Sequence, residues 1–425
     1  MPTEPRTPTE QFAAPVRPGG RGEGAPRVGH RVGFWFVAVA FAVLMAFGTA
    51  PTPLWPLYAA RDGFDVTMIT VVFAVLVGGA ALGFLTLGHL SDRIGRRRIV
   101  VPALAVALAA AVALTWWTSL PGLIVGRFLN GVGIGLMAST ATTYLHDLYA
   151  RAHPGRSQAV LPEVVATAAN LGGLALGPLV AGVVAQWLPH PLTVTQLGFA
   201  VALAVCLLLT MATPETVDLS RTARDKPARF ALRPGMRPAF LSATGLAFCS
   251  FALFGLVNAL GSVILHTRLG VSSPFVAGLA PFLMFIAAAL AQLALAPLPP
   301  RRLPAVGAVA FPAGLALVAV SVYGSTLWLY LAATAVAGAG GGVLFKAGIA
   351  QSVTAAETAS RAGVLAVYFV VAYAGLGLPS ILFSEVIRHL SMETTLICFA
   401  AVLSAGAVLA TAVGSRGTWW RRAGR

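Results

Sequence analysis

The sequence predicts an all-α membrane protein of twelve transmembrane helices in two six-helix halves. Three observations lead there. The 425 residues are 57% hydrophobic and only 10% charged, against roughly 25% charged in globular domains. The charges cluster between apolar runs long enough to cross a bilayer core of roughly 30 Å. A polar stretch, 215–237, separates six such runs from six others. This composition argues against a soluble enzyme, a nucleic-acid binder and a disulfide scaffold. The net charge of +15 would suggest nucleic acid in a soluble chain, but here the placement of the charges decides.

Residues 1–32 are rich in Pro, Gly and Arg without an apolar run, and read as a disordered cytoplasmic tail. The N-terminal half, 33–214, holds apolar runs at about 33–59, 67–87, 99–117, 121–145, 159–187 and 194–213. Residues 215–237 form a cytoplasmic central loop. The C-terminal half, 238–414, holds runs at about 238–265, 274–297, 304–322, 326–350, 361–387 and 393–414, and 415–425 is a second cytoplasmic tail.

Orientation follows from the excess of Lys and Arg on cytoplasmic loops. With the N-terminus inside, 24 of the 29 basic residues fall on the inner side, and only Arg61, Arg268 and Arg388 on the outer. Arg127 and Lys346 lie within spans. The expectation is a multi-pass protein of the cell membrane with both termini cytoplasmic. Cys206, Cys249 and Cys398 all sit in apolar runs, where a thiol acts as a small hydrophobe. No metal-ligand spacing occurs, so neither a metal nor a cofactor is expected.

Hydropathy alone leaves channel, transporter, membrane enzyme and receptor open. The chain has no G-x-x-x-x-G-K-[ST] phosphate loop. Uphill work would therefore draw on an ion gradient or an energised partner.

Three motifs narrow the choice. Between spans two and three stands Gly88-His89-Leu90-Ser91-Asp92-Arg93-Ile94-Gly95-Arg96-Arg97-Arg98. Its glycines permit a sharp turn, and Asp92 is an acid among four arginines. Span four carries Gly126-Arg127, Gly131 and Gly135, and ends on Tyr144 and Asp147. Span five reads Gly173-x-x-x-Gly177-Pro178-x-x-Ala181-Gly182. Small residues at that spacing let helices pack backbone to backbone, and Pro178 removes one helical hydrogen bond.

Twelve spans with these motifs resemble the major facilitator superfamily, and the span-five pattern resembles its drug and metabolite:proton antiporters. Ala181 stands where the family pattern has glycine. The resemblance implies the major facilitator fold, no enzymatic activity, and a conformational latch built from Gly88, Asp92, Arg93, Gly95, Arg96 and Arg97. In it Asp92 faces the start of span eleven, and Asp147 pairs with Arg93. It also implies a substrate cavity lined by spans one, four, seven and ten. The candidate lining is Phe41, Thr49, Asn130, Asn258, Phe345 and Lys346, with Tyr368 and Tyr373 from span eleven.

A charge at mid-membrane costs about 2.5–3.5 kcal/mol on insertion scales. Arg127 is therefore expected to meet backbone carbonyls or water, as a structural anchor or a coupling residue. Span one carries no acid, so Glu163 near the inner end of span five ranks first as proton carrier. Glu357 and Arg361 before span eleven are expected to keep a remnant of an ion pair. The sparse polar lining suits a hydrophobic or amphiphilic compound. The leading expectation is a monomeric, proton-gradient-driven exporter whose partners are the lipid bilayer, a small-molecule substrate and protons, with no nucleic acid. The alternatives are an importer of a nutrient or metabolite, and a membrane scaffold or sensor that transports nothing.

Overall fold

The computed structural model describes residues 28–86, 94–155, 159–217 and 230–416. Gly88, Asp92 and Arg93 lie outside the described residues. Among the described residues twelve helical spans are long and apolar enough to cross a membrane. They are His30–Asp62, Val66–Thr86, Arg97–Trp116, Leu120–Ala152, Leu161–Trp187, Pro191–Met211, Arg237–Leu269, Pro274–Ala294, Leu303–Tyr323, Leu327–Ala355, Thr358–Val386 and Met392–Ser415.

Span one is discontinuous. A helix His30–Thr49 gives way to a single 3-10 turn, Thr52–Leu54, and a short helix, Trp55–Asp62. The cause is the run Pro51-Thr52-Pro53-Leu54-Trp55-Pro56. Proline has no N–H, so the carbonyls of Phe47 and Thr49 lose the partners a continuous helix would give them.

The spans sort by burial. In span seven 89% of the apolar window is buried within the protein, in span twelve only 22%. Span seven is therefore central and span twelve faces lipid. Because lipid tails are as apolar as Leu, close packing of small residues replaces hydrophobic exclusion as the force between helices. Spans two and four meet this way: a Cβ on Gly131 would lie 2.0 Å from the Leu76 carbonyl oxygen, and one on Gly79 2.1 Å from that of Phe128.

One end of the bundle carries the segments around Arg96, Arg151, Glu215 and Arg361 and is here called the basic end. At the opposite, far end the halves are sewn together. Thr52 Oγ1 donates to Asn258 Oδ1 at 3.0 Å, and Trp55 Nε1 donates to the Asn258 carbonyl at 3.0 Å. The hydroxyls of Thr70 and Ser384 lie 2.8 Å apart, and Ser273 Oγ donates to Gln186 Oε1 at 2.9 Å.

Candidate functional site

Between the halves lies a central cavity of about 50 Å³. Both halves build it: Thr49, Phe73, Ile134 and Asn170 from one, Phe254, Asn258, Phe345, Phe369 and Tyr373 from the other. Among the described residues no charged side chain lines it. A second cavity of about 370 Å³ lies toward the basic end, lined by Arg96, Ser139, Thr142, Thr143 and Arg361 among others. Ala138 and Phe369 line both cavities. Phe369 stacks on Phe84 across the halves with ring centres 5.1 Å apart and planes 8° from parallel. These rings form the partition between cavity and vestibule.

Of the cavity residues expected from the sequence, Thr49, Asn258, Phe345 and Tyr373 line the central cavity. Phe41, Asn130, Lys346 and Tyr368 do not line it. Phe41 is fully buried in the core, and the Tyr368 hydroxyl donates to the Phe345 carbonyl at 2.8 Å. Thr49 and Asn258 are themselves committed, Thr49 Oγ1 to the Leu174 carbonyl at 2.9 Å and Asn258 Nδ2 to that of Phe254 at 2.7 Å. Asn170, unremarked in the sequence as one amide in an apolar run, makes no side-chain hydrogen bond among the described residues.

Arg127 and Asn130 serve the break in span one. Arg127 Nη1 donates to the Gly48 carbonyl at 3.0 Å, and Asn130 Nδ2 reaches the Phe47 carbonyl at 3.4 Å. Phe47 is the residue whose carbonyl Pro51 leaves without an N–H. The positive guanidinium also faces the carbonyl end of the helix His30–Thr49, where the peptide dipoles favour a cation. Its Cζ lies 5.7 Å from the Trp55 ring centre.

At the basic end three elements converge. Glu215 lies four residues past span six, and its Oε1 and Oε2 accept the backbone N–H groups of Arg96 at 2.8 Å and Arg97 at 3.0 Å. Those are unpaired donors at the start of the helix Arg97–Trp116, the position where a carboxylate is favoured. The approach requires glycine beside it: Gly95 has φ +115°, and a Cβ there would lie 2.5 Å from Glu215 Oε2. Arg96 Nε pairs with Asp147 Oδ2 at 3.2 Å, so the Asp147 partner described here is Arg96, with Arg93 outside the described residues. Tyr144 donates its hydroxyl to the Pro214 carbonyl at 2.7 Å, and Arg97 Nη1 donates to that of Thr213 at 3.0 Å.

Span five joins both halves. Gly173 and Gly177 abut span one, where added Cβ atoms would lie 2.5 Å from the Ala42 carbonyl oxygen and 2.0 Å from that of Ala46. Pro178 and Gly182 abut span eight, a Cβ on Gly278 falling 2.2 Å from the Pro178 carbonyl oxygen. At the other end of the same helix, Glu163 Oε1 lies 3.5 Å from Lys346 Nζ of span ten. Lys346 Nζ also donates to the Gln292 carbonyl at 2.9 Å, which holds it away from the central cavity. The expected Glu357–Arg361 pair does not form: Arg361 lines the vestibule without an ion pair among the described residues.

The class follows from comparison with known proteins. The family model described as the Major Facilitator Superfamily matches residues 36–379. The chain belongs to that superfamily, a class of membrane transporters and not of enzymes. It is 28% identical over 158 residues to the 4-hydroxybenzoate transporter PcaK of Acinetobacter baylyi, a stretch covering 36% of this chain and 33% of that protein. It is 30% identical over 143 residues to the multidrug resistance protein MdtM of Salmonella typhimurium, covering 34% of this chain and 33% of that one. The chain thus matches about a third of the length of these relatives. The crystal structure of the nucleoside transporter NupG superposes with a TM-score of 0.69 at 13% identity, covering 90% of this chain and 99% of that one. At that identity the likeness is one of fold.

Proposed function

We propose that this chain is a secondary transporter of the cell membrane that exports small hydrophobic or amphiphilic compounds by alternating access, driven by the proton gradient. The observation that carries the reading is the aromatic cavity built by both halves, bonded shut at the far end and approached by a vestibule from the basic end. In alternating access the two halves rock about a site near the bilayer midplane. A ligand touching both halves can discriminate between the open states, which coupling requires. The excess of arginine at the basic end supports a cytoplasmic placement for that end and for both termini.

The glycine-proline packing of span five and the similarity to a multidrug resistance protein favour an exporter. The similarity to a 4-hydroxybenzoate transporter favours a metabolite as cargo and keeps uptake as the second reading. Accumulation of lipophilic fluorescent dyes in cells with and without the protein, with an uncoupler arm, tests both. Lower accumulation that the uncoupler abolishes is the expected result. Uncoupler-sensitive accumulation above the control would replace export with uptake.

A further inference from the structure

The described residues bury only two charged side chains, Arg96 and Arg127, and bury no Asp or Glu. Arg96 has Asp147 beside it. Arg127 is 1% exposed, has no carboxylate partner, and its Nε has no hydrogen-bond partner. A buried cation held only by a carbonyl and a ring face is under-compensated, because burial strips its water without returning a counter-charge. Gly48, whose carbonyl takes the Arg127 hydrogen bond, is itself a wall of the central cavity. The guanidinium therefore stands one backbone carbonyl behind that wall.

The approach has the same sign. Among the described residues the vestibule is lined by Arg361 and by Arg96, whose partner is Asp147, and by no acid. A cleft lined by one sign of charge between apolar walls raises the local concentration of the opposite ion. In the central cavity two hydrogen-bonding groups have no partner within the described protein: the Asn170 amide from one half and the Tyr373 hydroxyl from the other. Tyr373 is 8% exposed. Both groups can donate to an anionic oxygen. The remaining walls are largely phenylalanine and aliphatic side chains, apolar partners for a ring that the closed cavity of about 50 Å³ admits only when the two halves part.

On these grounds, and resting on the transport reading above, we propose that the cargo is an amphiphilic organic anion, an apolar ring bearing one carboxylate-like group. The carboxylate takes hydrogen bonds from Asn170 and Tyr373 and neutralises the field of Arg127, while the ring fills the phenylalanine walls. Phenylalanine faces also attract cations. A ring face offers only partial negative charge, however, and the full charges lining the path among the described residues are positive. Because Asn170 and Tyr373 belong to opposite halves, an anion bonded to both draws them together and favours the occluded state.

The test uses the purified full-length protein and three probes of one shape: 2-naphthoate, 2-naphthamide and 2-naphthylmethylammonium. Binding is read by quenching of tryptophan fluorescence at low ionic strength. The carboxylate is expected to bind about tenfold or more tightly than the amide, and the ammonium weakest. Arg127→Gln should erase the preference and Arg127→Lys should keep most of it. Arg361→Gln should slow association of the carboxylate alone and weaken its salt dependence. If Arg127→Gln does not fold, the wild-type ranking and Arg361→Gln still decide. Equal or tighter binding of the amide or the ammonium overturns the anion inference and leaves the transport reading standing. Binding of none of the three overturns the anion inference, and the transport reading then stands or falls by the dye accumulation assay.

Discussion

The Glu215 carboxylate accepts the backbone N–H of Arg96 at 2.8 Å, across 119 positions of sequence. This bond fixes the end of span six to the start of span three, and the Arg96 side chain continues the chain of contacts to Asp147 of span four. Glu215 therefore ties two elements directly and reaches a third through Arg96. Its energetic role is that of a helix N-terminal anion, worth about 0.5–2 kcal/mol. Glu215→Ala should lower the melting temperature of the purified protein, and Glu215→Gln should lower it less, since the amide oxygen still accepts. Equal melting for all three proteins would remove Glu215 from the framework of this end.

Gly177 admits no side chain. A Cβ there would lie 2.0 Å from the Ala46 carbonyl oxygen and 2.5 Å from Thr49 Oγ1, so the backbones of spans one and five must part. Gly177→Leu should abolish substrate transport while the protein still reaches the membrane, because Thr49 and Leu174 of these same spans line the cavity. Gly172 of the same span meets nothing within 4 Å, so Gly172→Ala should be silent in the same assay. Transport by Gly177→Leu at the wild-type rate would separate this packing from function.

The far-end seal can be locked. Thr70 and Ser384 are buried, come from opposite halves, and their hydroxyls lie 2.8 Å apart. In a Thr70→Cys/Ser384→Cys variant, oxidation should join the halves and stop transport, and dithiothreitol should restore it. Substrate binding from the basic end should persist in the oxidised form. Undiminished transport with the disulfide formed would show that the far end need not open, contrary to alternating access.

Most of the architecture is legible in the sequence because a bilayer imposes a simple rule: apolar length sets the span, and basic loops set the side. Glycine spacings were equally readable, since Gly173, Gly177 and Gly182 have no other physical use than close approach. What composition hid was the identity of partners. Asn130 has the polarity of a cavity residue, yet it reaches the Phe47 carbonyl near the break at Pro51. Lys346 has the charge of one, yet it is held by the Gln292 carbonyl. Glu215 reads as the first residue of a polar loop, and only the folded chain brings it to Gly95. Polarity shows that a side chain needs a partner, while the fold decides which one it gets.

A coupling proton needs a group to carry it. Among the described residues every Asp and Glu lies near a helix end, so no carboxylate stands in the cavity to carry one. Glu163 remains the acid nearest a moving boundary, on span five and 3.5 Å from Lys346 of span ten. Its side chain is 60% exposed, so the pair adds at most about 1 kcal/mol to stability. Glu163→Gln should leave the melting temperature almost unchanged, and Lys346 keeps its Gln292 carbonyl. Proteoliposomes separate the remaining roles. If Glu163 carries the proton, Glu163→Gln should lose transport driven by a pH gradient yet retain exchange of labelled for unlabelled substrate at equal pH, because exchange needs no net proton movement. Gradient-driven transport at the wild-type rate would exclude Glu163 as carrier, and would point instead to a cargo that carries its own proton.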